Sequence, residues 1–306
     1  MSSSSRKGAF RGCFVFLGIY AVLAVIVTAI SYLRFPEAEV ASRCSAAAAA
    51  GFGGAVFLTF AAAFLWEVAR RFRELSLLRA SVGGAAPADG ERIAACGVLV
   101  ADGPLLEAPI SGARAAIYKY EIVVPHQKSS STVACSGYGL TPCHITTAAG
   151  SVRLLGYAEP TFRPALLDGP ETRSRTQAYL GSAAITPTGL GAAREFLDTL
   201  VDDDGAIRSD SGSVPDVVGN PRLLLREHCV ADGDSVCAFG KYSIDRGGLV
   251  PDPASVDPYP IRLRRGEAAA IGRALVASAF GYSAGAVAMT GLAVGAVWLA
   301  RLMFAP

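Results

Sequence analysis

Lysine is scarce in this chain of 306 residues: Lys7, Lys119, Lys128 and Lys241 are the only four among 28 basic residues. Against 26 acids the formal charge is only +2, which excludes a basic footprint spread over the whole molecule and with it a nucleic-acid binder. Closely paired cysteines are missing too. The seven cysteines are odd in number, none sits at CxxC spacing, and Cys13 lies in an apolar run, so a disulfide framework is not expected and a reducing compartment is. No Walker loop, dinucleotide fingerprint or internal repeat occurs, and no cofactor is expected. Arginine in place of lysine, with heavy Ala and Gly usage, suggests a GC-rich, bacterial genome.

Apolar residues, by contrast, are abundant. They make up 52% of the chain, and the mean hydropathy of +0.39 is too high for a typical soluble protein. Three uncharged runs account for the excess. After a polar leader (1–12), residues 13–33 match the ~20 residues a helix needs to cross hydrocarbon. A hinge (34–44) separates them from a second run, 45–67, closed by Trp66 and Glu67. A third run, 274–300, lies between Arg273 and Arg301, with Trp298 near its outer end and a short tail, 301–306. Trp66 and Trp298 have the character of interface anchors.

Basic residues beside these runs set the expected orientation. Arg6, Lys7 and Arg11 precede the first, Arg70, Arg71, Arg73 and Arg79 follow the second, and Arg262, Arg264, Arg265 and Arg273 precede the third. The positive-inside rule then predicts a multi-pass protein of the cell membrane with its central domain in the cytoplasm. Those last eight arginines are also the candidate membrane-surface residues, because each basic residue near an anionic leaflet contributes ~1 kcal/mol.

Between the runs the pattern changes. A basic segment and linker (68–90) leads into short β-like stretches at 92–100, 113–124, 132–140, 144–147 and 151–155, with a turn at Ala148-Ala149-Gly150. A helix is predicted over 191–201, ended by the acids at 202–204, and a loop over 202–220. A last hairpin, 222–230 with 235–243, is expected around Ala231-Asp232-Gly233-Asp234, whose Asp-Gly step supplies a positive φ. The predicted fold is a membrane protein with three transmembrane α-helices and a β-rich α+β soluble domain, small and barrel- or sandwich-like, over 91–270.

The stretch CGVLVADGPLLEAPISGARAAIYKYEIVV (96–124) resembles the opening of the GIDE-type domain. That domain is the BAM ("beside a membrane") module of the mitochondrial membrane-anchored RING ubiquitin ligases. TPCHITTAAGSVRLLGYAEP (141–160) resembles the family's strand-turn-strand. In REHCVADGDSVCAFGKY (226–242) the likeness is carried by Glu227, Gly233, Asp234, Val236 and Gly240. The resemblance implies a β-rich module beside the bilayer. The ligases place a zinc-binding RING finger after their last span and a single span ahead of the module. This chain has two apolar runs ahead and stops at Pro306, so ubiquitin transfer is not carried over as the expected activity.

Other motifs carry less chemistry. GYSAG (281–285) matches a serine-nucleophile elbow, but inside an apolar helix it reads as packing. The pairs Gly281 with Gly285 and Gly291 with Gly295 let helix backbones approach closely in lipid. Cys135, Cys143 and His144, and His228, Cys229 and Cys237, hold zinc-capable atoms, but at spacings that favour core packing, and no metal is expected. Asp198, the run 202–204 and Asp210 lack the ligand alternation of a calcium loop. The expected function is therefore a membrane-anchored, non-enzymatic interaction or sensing module. Its partners are membrane lipids and a protein, peptide or lipid near the bilayer. The alternatives are a ubiquitin-transferase-like protein and an accessory subunit of a membrane complex.

Overall fold

A computed structural model describes residues 40–82, 87–126, 131–186, 207–251 and 261–304, together with Ile26, Thr28 and Ala29. It divides into two units, Met1–Leu75 with Arg273–Pro306, and Ser76–Gly272. Helix α1 spans Val40–Val82. The strands that follow are β1 (Arg92–Ala101), β2 (Leu106–Glu107), β3 (Arg114–Ala115), β4 (Ile117–Pro125), β5 (Ser131–Leu140), β6 (Cys143–Thr147), β7 (Gly150–Leu154), β8 (Ala158–Pro160) and β9 (Ala165–Leu167). Helix α2 (Pro170–Ser182) leads to β10 (Ile185–Thr186), β11 (Ile207–Gly212), β12 (Leu224–Val230), β13 (Ser235–Ser243), β14 (Gly248–Val250) and β15 (Ile261–Arg265), and α3 covers Ala268–Phe304.

Five strands close a barrel. They pair in the order β1, β6, β7, β14, β13 and back to β1, and only β7 with β14 is parallel. That connectivity is of the OB type, a five-stranded Greek-key barrel. Alternation along β1 turns Ile93, Ala95, Leu99 and Ala101 toward one apolar core with Ile145, Leu154, Val236, Ala238 and Leu249. Val98 pairs with both Ser235 and Thr146, so β1 changes partner there. Gly97 makes this bend possible, because a Cβ at that position would collide with the carbonyl of Thr146.

A second sheet, in the order β10-β11-β5-β4-β12-β9, lies in the same unit. Its residues Tyr118, Tyr120, Ile122 and Leu225 pack with Leu180 of α2 and with Val217. Gly137 and Gly139 stand opposite Tyr120 and Tyr118 in the β4–β5 register, and a side chain at either glycine would occupy the ring positions. Small residues on one strand thus admit large ones on the next.

Three transmembrane helices are not what the structure holds. Among the described residues one helix is long and apolar enough to cross a membrane, Ala268–Leu299 within α3. The first run, 13–33, lies outside the described residues apart from three positions. The second run does not end as a bounded span. Its helix continues past Glu67 to Val82, carried by ion pairs of Glu67 with Arg70 and Arg71, and of Arg71 with Glu74, one turn apart. The charges that marked a bilayer edge in the sequence instead staple successive turns of α1. Multi-pass topology is not shown by the described residues; α3 is the helix that could anchor the chain.

The β-rich domain with a barrel is present, and seven of its strands, β1, β4, β5, β6, β7, β12 and β13, fall where the sequence placed them. Two expectations about its chain path are not met, and a third is not tested. The helix over 191–201 lies outside the described residues, whereas the helix that is described, α2, was unforeseen. Within the expected loop 202–220 runs β11, which pairs with β5. The hairpin at 231–234 does not form: β12 pairs with β4 and β9, and β13 with β1, β14 and β15. Gly233 does adopt φ 84°, but the turn carries the chain from one sheet to the other. It is tied to β1 by Leu99 N–H to Asp234 O (2.9 Å) and Ala101 N–H to Asp232 Oδ1 (2.9 Å).

Candidate functional site

A group of charged side chains lies half-buried on the face of the second sheet that carries Lys119. Residues two apart on a strand share a face, which puts Lys119 beside Glu121 on β4, and pairing puts His228 of β12 opposite Lys119. Glu159 arrives from β8. The Lys119 Nζ lies 2.8 Å from Glu159 Oε1 and 3.1 Å from Glu121 Oε1, and Tyr157 donates its hydroxyl to Glu159 Oε2. Arg262 is the register partner of Glu159 across β15 and β8 and is itself buried. The His228 ring packs edge-on against Phe162 at 5.1 Å and is 8% exposed.

Burial would lower the Lys119 pKa, but Glu159 and then Glu121 outweigh it, so the amine stays charged above its ordinary value. Burial raises the Glu159 carboxyl, and Lys119 offsets this only in part. Burial, followed by the charge of Lys119, pushes His228 down to about 4. At neutral pH this is a neutral imidazole beside a paired ammonium. So weak a base is not matched to proton abstraction near pH 7, and a paired, charged lysine is no nucleophile.

On the opposite face the polar groups are equally engaged. Tyr120 and Tyr179 donate to the two oxygens of Asp210, at 2.7 and 2.9 Å, and Tyr118 lies 3.5 Å from the Tyr179 hydroxyl. Burial raises the pKa of all three tyrosines. Arg173 of α2 donates to Asp168 and to the carbonyls of Val217, Asn220, Pro221 and Leu223, fixing the loop before β12. No sequence signal exposed these groups, because the buried stripe of α2 is Arg173, Thr176 and Leu180 rather than an apolar face.

The family-motif residues all have structural positions. Buried Glu227 accepts the N–H groups of Ile110 (2.8 Å) and Ser111 (3.0 Å). Asp234 accepts Ala231 N–H and Arg265, Val236 is in the barrel core, and the α-carbon of Gly240 faces Ile261 and Leu249. The candidate membrane-surface arginines are split. Arg70 and Arg71 are paired within α1, and Arg73, Arg79 and Arg273 are exposed. Arg262, Arg264 and Arg265 belong to β15, where Ile261 and Leu263 enter the core; buried Arg262 is not on offer to headgroups.

Packing along α3 falls mainly to other residues. Ile271, Leu275, Ala279, Ala286 and Ala293 are the buried positions among the described residues of α3, at helical spacing. Gly285 lies beside them, where a Cβ would touch the Phe64 ring of α1 at 3.3 Å, whereas Gly281, Gly291 and Gly295 have nothing within 4 Å of that position. Phe64 and Tyr282 stack at 6.1 Å and Arg71 sits over the Tyr282 ring. Ser283 of GYSAG donates to Ala279 O, one turn back in the helix.

The cysteine and histidine segments do not converge. Cys143 is in the barrel core, Cys135 lies against the Tyr120 hydroxyl, Cys229 lies near Ser111, and Cys237 is joined to Cys96 in a disulfide. The expectation of free thiols throughout is corrected by that bond. Cysteines 141 residues apart become register partners only when β1 and β13 pair, so no local spacing announces them. Among the described residues no cluster of three or more metal-capable side chains occurs.

Exposed apolar side chains of the β-rich unit include three near one edge of the second sheet. Strand β9 is one of the two outer strands of the second sheet, with Leu166 60% exposed. Leu224 on the neighbouring β12 and Val218 are exposed too. A shallow depression next to β9 is lined by Asp168, Gly169, Pro170, Arg173, Val218 and Pro221. By contrast β8, the outer strand of the barrel sheet, is buried and ends in Pro160.

These features define a class: a β-rich domain with a five-stranded barrel, followed in the chain by one long apolar helix. No family model, curated protein or solved structure matches the chain.

Proposed function

We propose that this protein is a membrane-anchored interaction module that presents the β9 side of its second sheet to a protein partner. The observation that carries the reading is the contrast between spent polar groups and open apolar ones. Lys119, Glu159, Asp210, Glu227 and Arg173 are all engaged inside the domain, while Leu166, Leu224 and Val218 are exposed around an outer strand. An outer strand with unused backbone groups is a template for an extended segment of another chain, and flanking side chains give specificity. The likeness of residues 96–124, 141–160 and 226–242 to a beside-membrane module agrees with this reading.

Anchoring comes from α3. Basic residues around the apolar runs favour a cytoplasmic domain, and the Cys96–Cys237 bond favours the other side. The test of function uses the full-length protein in native membranes with a photoreactive residue at Leu166 or, as a control, at exposed Glu107. One defined protein crosslinked from Leu166 and not from Glu107, and lost on Leu224→Asp, is the expected result. Equal labelling from both positions, or turnover of a substrate by the purified protein without any partner, would reject it.

A further inference from the structure

Cys96 and Cys237 face each other near the middle of a seven-pair register between β1 and β13, and they are bonded. We infer that the barrel lies on the oxidising side of its membrane, with Cys96–Cys237 as the oxidised seam of the barrel. This stands apart from the reading as an interaction module. Disulfides persist in secreted, periplasmic or extracellular settings and are reduced in the cytosol. Cys96 is only half-buried, so the bond is within reach of small thiols and would meet them in a cytosol.

The other described thiols fit an oxidising setting. Exchange proceeds through the thiolate. Cys135 and Cys143 are buried, and burial pushes Cys143 and Cys229 up to about 12 and raises Cys135. The pair placed to bond is bonded, and the thiols left over are held protonated. Basic residues that favour the opposite orientation have structural work as well: Arg262 is buried in β15, and Arg265 pairs with Asp234 at 3.0 Å. The fold accounts for these two without a topology role.

Formation of the seam removes two electrons and two protons from the two thiols. A dithiol oxidoreductase in its disulfide form accepts them through a mixed disulfide and leaves as the dithiol. The bond joins the first strand after α1 to β13, whose neighbour β15 leads into α3. Reduction therefore removes the one covalent tie between the beginning and end of the domain among the described residues.

The test is peptide mapping of the full-length protein from cells treated with a permeant maleimide before lysis. Trypsin leaves Cys96 in peptide 93–114, and leaves Cys229 and Cys237 together in 227–241. The expected result is a linked 93–114/227–241 species in which neither Cys96 nor Cys237 carries maleimide, split by reductant. Recovery of Cys96 and Cys237 both as maleimide adducts overturns the inference. In a second arm, spheroplasts receive a membrane-impermeant phosphine and then an impermeant maleimide. Labelling of Cys96 before permeabilisation is expected; a linked pair that becomes labelled only after permeabilisation overturns the orientation.

Discussion

The barrel and the second sheet share strand chemistry but are held differently. The barrel core is mainly aliphatic, with Tyr138 and Tyr157 packed edge to face within it, and is seamed by one covalent bond, while the second sheet buries Tyr118, Tyr120, Asp210, Glu227 and Arg173 in hydrogen-bonded sets. A core of the first kind fails through lost packing. One of the second kind fails through single unsatisfied polar groups, which cost more than the bond itself contributes. The barrel should therefore be sensitive to volume and redox state, and the second sheet to polar substitution and pH.

The largest break expected is at Gly97. Replacing it with Val forces a side chain into the Thr146 carbonyl and should destabilise the domain by about 3 kcal/mol or more, read as a lower denaturant midpoint. Reducing Cys96–Cys237, or the double change to Ser, should cost about 3 kcal/mol, because a long closed loop is released in the unfolded chain. In the second sheet, Glu227→Ala leaves the N–H groups of Ile110 and Ser111 without their acceptor and should cost about 2 kcal/mol with no response to reductant.

Acidification sharpens the contrast further. His228 is held near 4 in the fold against an ordinary 6.5, so the unfolded chain takes up the proton first as pH falls. The stability it carries is complete above pH 6.5 and is lost between pH 6.5 and 4, on the order of 1–2 kcal/mol after allowance for screening. Glu159, with a raised pKa, acts in the opposite direction. Comparing wild type with His228→Gln isolates the histidine, and the variant should have the flatter melting curve against pH in that window. The smallest effect is expected at Leu166→Asp, within about 0.5 kcal/mol in melting, because the residue is exposed.

The same contrast explains what the sequence could disclose. Strands β1, β4, β5, β6 and β7 were legible because apolar and β-branched residues alternate along them or because Gly150 closes a turn with φ 136°. Helix α2 was hidden, although Pro170 at its first turn is a start signal, because it buries Arg173 and Thr176. Strand β11, IRSDSG, reads as a loop because Asp210 earns its buried place from two tyrosines on other elements. β15 reads as a basic membrane flank until Ile261 and Leu263 are seen to enter the core. Long-range pairing was the common missing information. It also decided that 231–234 crosses between sheets and that Cys96 meets Cys237.

Everything proposed for the domain assumes that α3 sits in lipid while the β-rich unit stays in water. Phe280, Val287 and Val294 are more than 60% exposed on α3, a surface that a bilayer would cover. The direct measurement is labelling of the full-length protein in native membranes with an apolar, lipid-dissolved photoreagent, followed by mapping of the tryptic peptide 274–301. The account predicts label on that peptide and none on 93–114 or 227–241; an unlabelled 274–301, or equal label on the barrel peptides, would contradict it.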